Sequence, residues 1–203
     1  MLVLEGGPPM ADGDHKTRVT VADMALFFVA CTLSRYYEFL SELRDRWGQP
    51  IDARSEVEIL LFVMYAHDLV IQQRGSKGFG VHGRLISRCF RDAMVLFNEA
   101  TSTFHVESSA WFERTIEDRF EEYYVAMSAN DPLVSVGGAF SRRVSNGKAD
   151  AYVAAMGALH LTAILRFTPS VSQHLVVDPD IREIPRSAIV PTVMSLMSEI
   201  RDN

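Results

Sequence analysis

Ser55-Glu56-Val57-Glu58-Ile59-Leu60-Leu61-Phe62-Val63-Met64-Tyr65-Ala66-His67-Asp68 is the stretch whose reading decides the fold. Ser55 and Glu58 have the spacing of a capping box, so a helix is expected to open there and run to about Arg74, before Gly75. The run from Ile59 to Tyr65 is apolar on nearly every face. A helix with no polar side must be surrounded by others, which places this one at the centre of a bundle.

The flanking segments supply the surrounding helices. Thr20 with Asp23 makes a second capping box and Val19 with Met24 a hydrophobic staple, while Gly48 and Pro50 end the helix after Trp47. Beyond the centre, Leu85, Cys89, Phe90, Ala93, Met94 and Phe97 recur at helical spacing. From Ser109, Phe112, Ile116, Phe120, Tyr123 and Met127 form a stripe, with Glu113, Glu117, Asp118, Glu121 and Glu122 opposite as a solvated acidic face. Asn130-Asp131-Pro132 stops that helix. Residues 133–147 admit a hairpin, a short helix or a loop, and are read as an irregular connection.

Asp150 to Phe167 is a helix rich in small residues (Ala151, Ala154, Ala155, Gly157, Ala158), ended by Thr168-Pro169. Ser187 caps a last helix with Pro191 in its first turn and Ile189, Val193, Leu196, Met197 and Ile200 on its apolar side. The fold class is therefore all-α: a single-domain bundle of five or six helices over residues 19–203, little or no sheet, behind a flexible tail at residues 1–18.

Composition narrows function by exclusion. With 203 residues, 48% hydrophobic, the chain has apolar surface enough for one sizeable core. Twenty Lys and Arg against 26 Asp and Glu give a net charge of −6, which disfavours a bulk grip on nucleic acid. The best apolar run, Met24 to Leu33, is about half the length a membrane span needs. Cys31 and Cys89 lie in apolar helical runs and read as reduced thiols, and no export signal is visible at the start, so a cytoplasmic location is expected.

Few residues point to chemistry. Gly78, Gly80 and Gly83 spell G-x-G-x-x-G, but a helix precedes them where the dinucleotide fingerprint needs a strand. The same loop offers backbone amides, a helix start and the donors Lys77, His82, Arg84 and Arg88, so Lys77, Gly78, Gly80, His82, Arg84 and Arg88 form a candidate anion site. Asp68, in an apolar helix, calls for a cationic partner, and Arg84, Arg88 or Arg91 on the next helix supplies one. His67-Asp68 would also suit a metal-dependent phosphohydrolase, but the ligands expected from other helices have no counterpart.

No Glu-x-x-His and no G-x-S-x-G occurs, His160 reads as a core histidine, and Arg142-Arg143 with Lys148 as a solvated basic loop. On the last helix Met194, Leu196 and Met197 form an adaptable surface for a partner. The function expected is a non-enzymatic helical protein–protein interaction module, an adaptor or regulatory subunit able to form a homodimer, without cofactor, metal, nucleic acid or membrane. The alternative is a small-molecule or anion-binding protein, or an enzyme, using the Gly75 to Gly83 loop and the Arg84, Arg88 and Arg91 face.

Overall fold

The computed structural model describes residues 17–75, 82–171, 175–178 and 185–202. Along these, β1 (Thr17–Thr20) leads into α1 (Val21–Arg46), α2 (Ala53–Gly75), α3 (Gly83–Thr101), α4 (Ser109–Met127), α5 (Pro132–Val144), α6 (Ala151–Val171), β2 (Leu175–Asp178) and α7 (Arg186–Asp202). The all-α expectation holds, with seven helices among the described residues and one parallel strand pair, Thr17 opposite Leu175 through Thr20 opposite Asp178. Thr17 and Arg18, expected in the tail, belong to that pair.

Helix α2 sits at the centre, as its composition requires. Every side chain from Ile59 to Ala66 is fully buried, and α1, α3, α4, α5 and α6 all pack on it. Each large apolar side chain removed from water there contributes about 1.5–3 kcal/mol. Helix α7 closes the outer side against α1 and α3 through Ile189, Val193 and Met197.

The capping box at Thr20 is present: the Thr20 hydroxyl accepts from Asp23 N–H at 3.1 Å and the Asp23 carboxylate from Thr20 N–H at 3.0 Å. The one expected at Ser55 is not. Helix α2 opens earlier, because Asp52 accepts from Ser55 N–H at 2.7 Å, which puts Ser55 in the first turn. Its hydroxyl, freed from capping, donates to the Val144 carbonyl at 3.0 Å.

Residues 133–147 also differ from expectation. Asp131 caps and Pro132 opens α5, so the dipeptide that ends one helix begins the next. Two glycines set how closely α5 and α6 approach: a Cβ at Gly137 would lie 2.5 Å from the Ala154 carbonyl oxygen, and one at Gly157 2.6 Å from the Phe140 ring. The small residues of α6 thus serve a neighbour inside the chain. Helix α6 continues past Thr168-Pro169 to Val171, and α7 starts at Arg186, which leaves Pro191 inside the helix beyond its first turn.

Candidate functional site

The richest concentration of charge lies where the start of α2, the middle of α4 and the end of α5 meet. Glu58, buried on α2, receives Arg119 of α4 in a two-pronged pair, Nε to Oε2 at 2.8 Å and Nη2 to Oε1 at 2.8 Å. One turn along α4, Glu122 pairs with Arg143 of α5 at 2.7 Å. Tyr123 is fully buried near both pairs, and its hydroxyl has no hydrogen-bond partner among the described residues. Burial, with Glu58 and Glu122 nearby, holds that phenol protonated well above its ordinary range.

Two clefts open beside these pairs, each of about 400 Å3. One is lined by Arg54, Glu122, Arg142, Arg143, Asn146 and Gly147, and the other by Arg54, Val57, Glu58, His105, Trp111 and Arg119 among others. Arg54 is common to both. The sequence reading missed this region because Glu58 was assigned to a cap, Glu122 to solvent and Arg142-Arg143 to a loop. A usable signal was Arg119, which unlike Arg114 borders the stripe Phe112, Ile116, Phe120 and Tyr123, three residues from Ile116.

Asp68 is buried as expected but has no arginine partner among the described residues. Its carboxylate accepts from Tyr124 Oη at 2.8 Å, Gln72 Nε2 at 2.8 Å and the Ser87 hydroxyl. Ser87 is on the inward side of α3 with Ile86 and Phe90, whereas Arg84 and Arg88 are exposed and pair with no acid on α2. Arg88 is 79% exposed at its side chain and 4.0 Å from Asp92. Arg91 Nε reaches the Ser87 carbonyl at 3.4 Å. Burial and the neighbouring Asp68 carboxylate push the Tyr124 phenol up.

Of the candidate anion site, Lys77, Gly78 and Gly80 lie outside the described residues. His82 precedes α3 without a side-chain cap bond, and Arg84 is exposed. Arg88 and Arg91 line a cleft of about 380 Å3 between α3 and α4 whose other members include Asp92, Glu113 and Glu117. The three acids there outnumber the two arginines, so an anion entering that cleft meets like charge.

His67 and Asp68 diverge. The His67 ring turns to α1, where Nδ1 is 3.1 Å from Thr32 Oγ1 and 3.0 Å from the Val63 carbonyl, and burial lowers its pKa to about 4. His160 stacks on Phe39 at 3.9 Å with Nε2 3.3 Å from Glu42, and burial lowers its pKa as well. Burial pushes the Cys31 thiol up to about 12. Among the described residues no cluster of three or more His, Cys, Asp or Glu is placed to hold a metal ion, and no helix is long and apolar enough to cross a membrane.

The expected partner surface on α7 separates into two parts. Met197 is buried in the chain's own core and Leu196 packs against it, leaving Met194, 51% exposed, as the free member. Val125 of α4 is exposed singly and Val134 of α5 beside Leu133, while a second exposed apolar face is on α6. There Leu159 is 60% and Tyr152 36% exposed, with Ala155 between them. Comparison of the chain with family models, curated proteins and solved structures finds no match.

Proposed function

We propose that this chain is a non-enzymatic helical interaction module whose docking face is the outer side of α6. The observation that carries this reading is the exposed register Tyr152, Ala155, Leu159, at i, i+3 and i+7 on a helix whose other sides are occupied. Gly157 packs on Phe140 of α5, and His160 on Phe39 of α1. Near His160, α1 carries Glu42, 3.3 Å from the imidazole, and Glu38, which is paired with Arg35 at 2.8 Å and so leaves Glu42 as the main acid there. The partner these features fit is an amphipathic helix with apolar anchors flanked by lysine or arginine.

A photocrosslinking residue at position 159, with position 117 on the polar side of α4 as control, tests the reading in cells. The expected result is one specific protein adduct from position 159, lost when Tyr152 is also changed to Glu. An adduct of the chain with itself makes the partner a second copy. Equal adducts from both positions, or none from 159, remove the reading.

A further inference from the structure

The two clefts that share Arg54 carry an inference separate from the α6 face. We propose that they form one binding site for a small phosphate monoester bearing a flat aromatic ring, the chemistry of a nucleoside monophosphate. The phosphate half is the cleft of Arg54, Arg142, Arg143 and Asn146, where three guanidinium groups meet one acid, Glu122. Glu122 is committed to Arg143 at 2.7 Å. Arg54 and Arg142 enter no ion pair among the described residues. The Arg54 guanidinium acts on the Asp52 carboxylate only through its charge, without a salt bridge, and Arg142 has no acid partner among the described residues; two such guanidinium forks on one concave surface are a site for a tetrahedral dianion, which takes planar donors from two directions.

Arginines in the last turn of a helix often serve its carbonyl end, but here three of the last four carbonyls are already served. Ser145 N–H donates to the Ser141 carbonyl at 2.9 Å, Gly147 N–H to Arg142 at 2.7 Å, and the Ser55 hydroxyl to Val144 at 3.0 Å. Arg54 comes from the first turn of α2, whose positive end adds to the attraction for an anion. The Glu58–Arg119 pair joins α2 to α4, the helices that bring Arg54 and Trp111 to the lining of the second cleft.

The aromatic half is that second cleft. Trp111 is half-buried and lines it beside Val57, an apolar surface on which a planar ring can lie. Glu107 and His105 at the same cleft are polar groups available to ring amino or carbonyl substituents. Each cleft, at about 400 Å3, lies in the range that takes a small organic molecule.

Calorimetric titration of the full chain with the four common nucleoside monophosphates, with inorganic phosphate and adenosine as the two halves, tests the proposal. At least one monophosphate is expected to bind tenfold or more tightly than either half. Arg142→Ala, a change at an exposed and unpaired side chain, is expected to weaken binding about tenfold or more with an unchanged melting temperature. Trp111→Phe is expected to retain most of the affinity and Trp111→Ala to bring it down to that of inorganic phosphate. Arg88→Ala, in the other arginine-lined cleft, is expected to change nothing. Absence of binding by every monophosphate at millimolar concentration overturns the proposal. So does inorganic phosphate binding as tightly as the nucleotides, or Arg88→Ala weakening binding as much as Arg142→Ala.

Discussion

Helix α2 buries two carboxylates nearly three turns apart, and the bundle satisfies them in opposite ways. Glu58, near the start, is met by the guanidinium of Arg119, whereas Asp68, further in, is met by a phenol, an amide and a hydroxyl. A charge partner must itself be desolvated, which costs less where clefts bring water close, as they do at Glu58 and Arg119. At Asp68 converging neutral dipoles spare the chain a second buried ion. The two ends therefore differ in what they can do. The Asp68 network has spent its donors on one another, and the Glu58 end leaves Arg54 and Arg142 open to a ligand.

Breaking the charged end is expected to have the largest effect. Glu58→Ala leaves Arg119 buried without its acid and should cost about 3–5 kcal/mol, a fall in melting temperature of roughly 6–20 °C for a chain of this size. Glu58→Met combined with Arg119→Leu should recover most of that loss, because no uncompensated charge remains. If the double variant is as unstable as the single one, packing and not pairing is what Glu58 contributes, and the contrast with Asp68 disappears.

Asp68→Ala should cost about 3 kcal/mol by stranding the buried Ser87 hydroxyl and the half-buried Tyr124 phenol, while the exposed Gln72 turns to water, and Tyr124→Phe should cost about half as much. Urea unfolding with an unchanged slope measures both. A Tyr124→Phe variant as stable as the parent would mean that Ser87 and Gln72 suffice and that the phenol is a bystander.

These two carboxylates also show how far the sequence can be read. The central position of α2 was legible, because a segment apolar on every face has one physical solution. That Asp68 is buried followed from the same fact. Its partner did not follow, since a carboxylate accepts equally from arginine, serine or tyrosine, and only the rotation of α3 decides that Ser87 faces inward. Glu58 was misassigned because Asp52-x-x-Ser55 and Ser55-x-x-Glu58 are overlapping cap patterns, and tertiary pairing with Arg119 selected the earlier one. Residues 133–147 were misread for a related reason: Asp131-Pro132 is both a stop and a start, and Gly137 and Gly138 look like breakers until α6 is seen to need the space at Gly137. The Glu122–Arg143 pair and the orphaned Tyr123 hydroxyl depend on how α4 and α5 lie together, and no local pattern encodes that.

A third polar group on α2 sharpens the contrast by titration. Burial holds His67 neutral, with a folded pKa of about 4 against an ordinary 6.5, so the unfolded chain binds the proton more readily. Its contribution to stability is complete above pH 6.5 and is lost as pH falls from there toward 4, amounting to about 2 kcal/mol at pH 5. His160, also lowered by burial, acts in the same direction. Denaturation midpoints measured between pH 7 and pH 5 should fall, and His67→Gln should flatten the slope. A slope of opposite sign would mean that one of these rings gains a charge partner on folding.

The smallest expected effect tests the neutral half of the comparison most directly. If Asp68 is held by Tyr124, Gln72 and Ser87 alone, Arg84 and Arg88 on the outward side of α3 are dispensable to the fold. Exposed arginines with at most a 4.0 Å contact to a neighbouring acid contribute little, because water screens them and fixing a long side chain costs entropy. Arg84→Ala and Arg88→Ala should each leave the unfolding free energy within about 0.5 kcal/mol of the parent. Adding Arg84→Ala to Asp68→Ala should produce no coupling beyond that margin, since the two side chains share no partner. A coupling of about 1 kcal/mol or more would show that the arginine reaches the carboxylate in solution. Asp68 would then be an ion pair like Glu58, and the two ends of α2 would be variants of one solution.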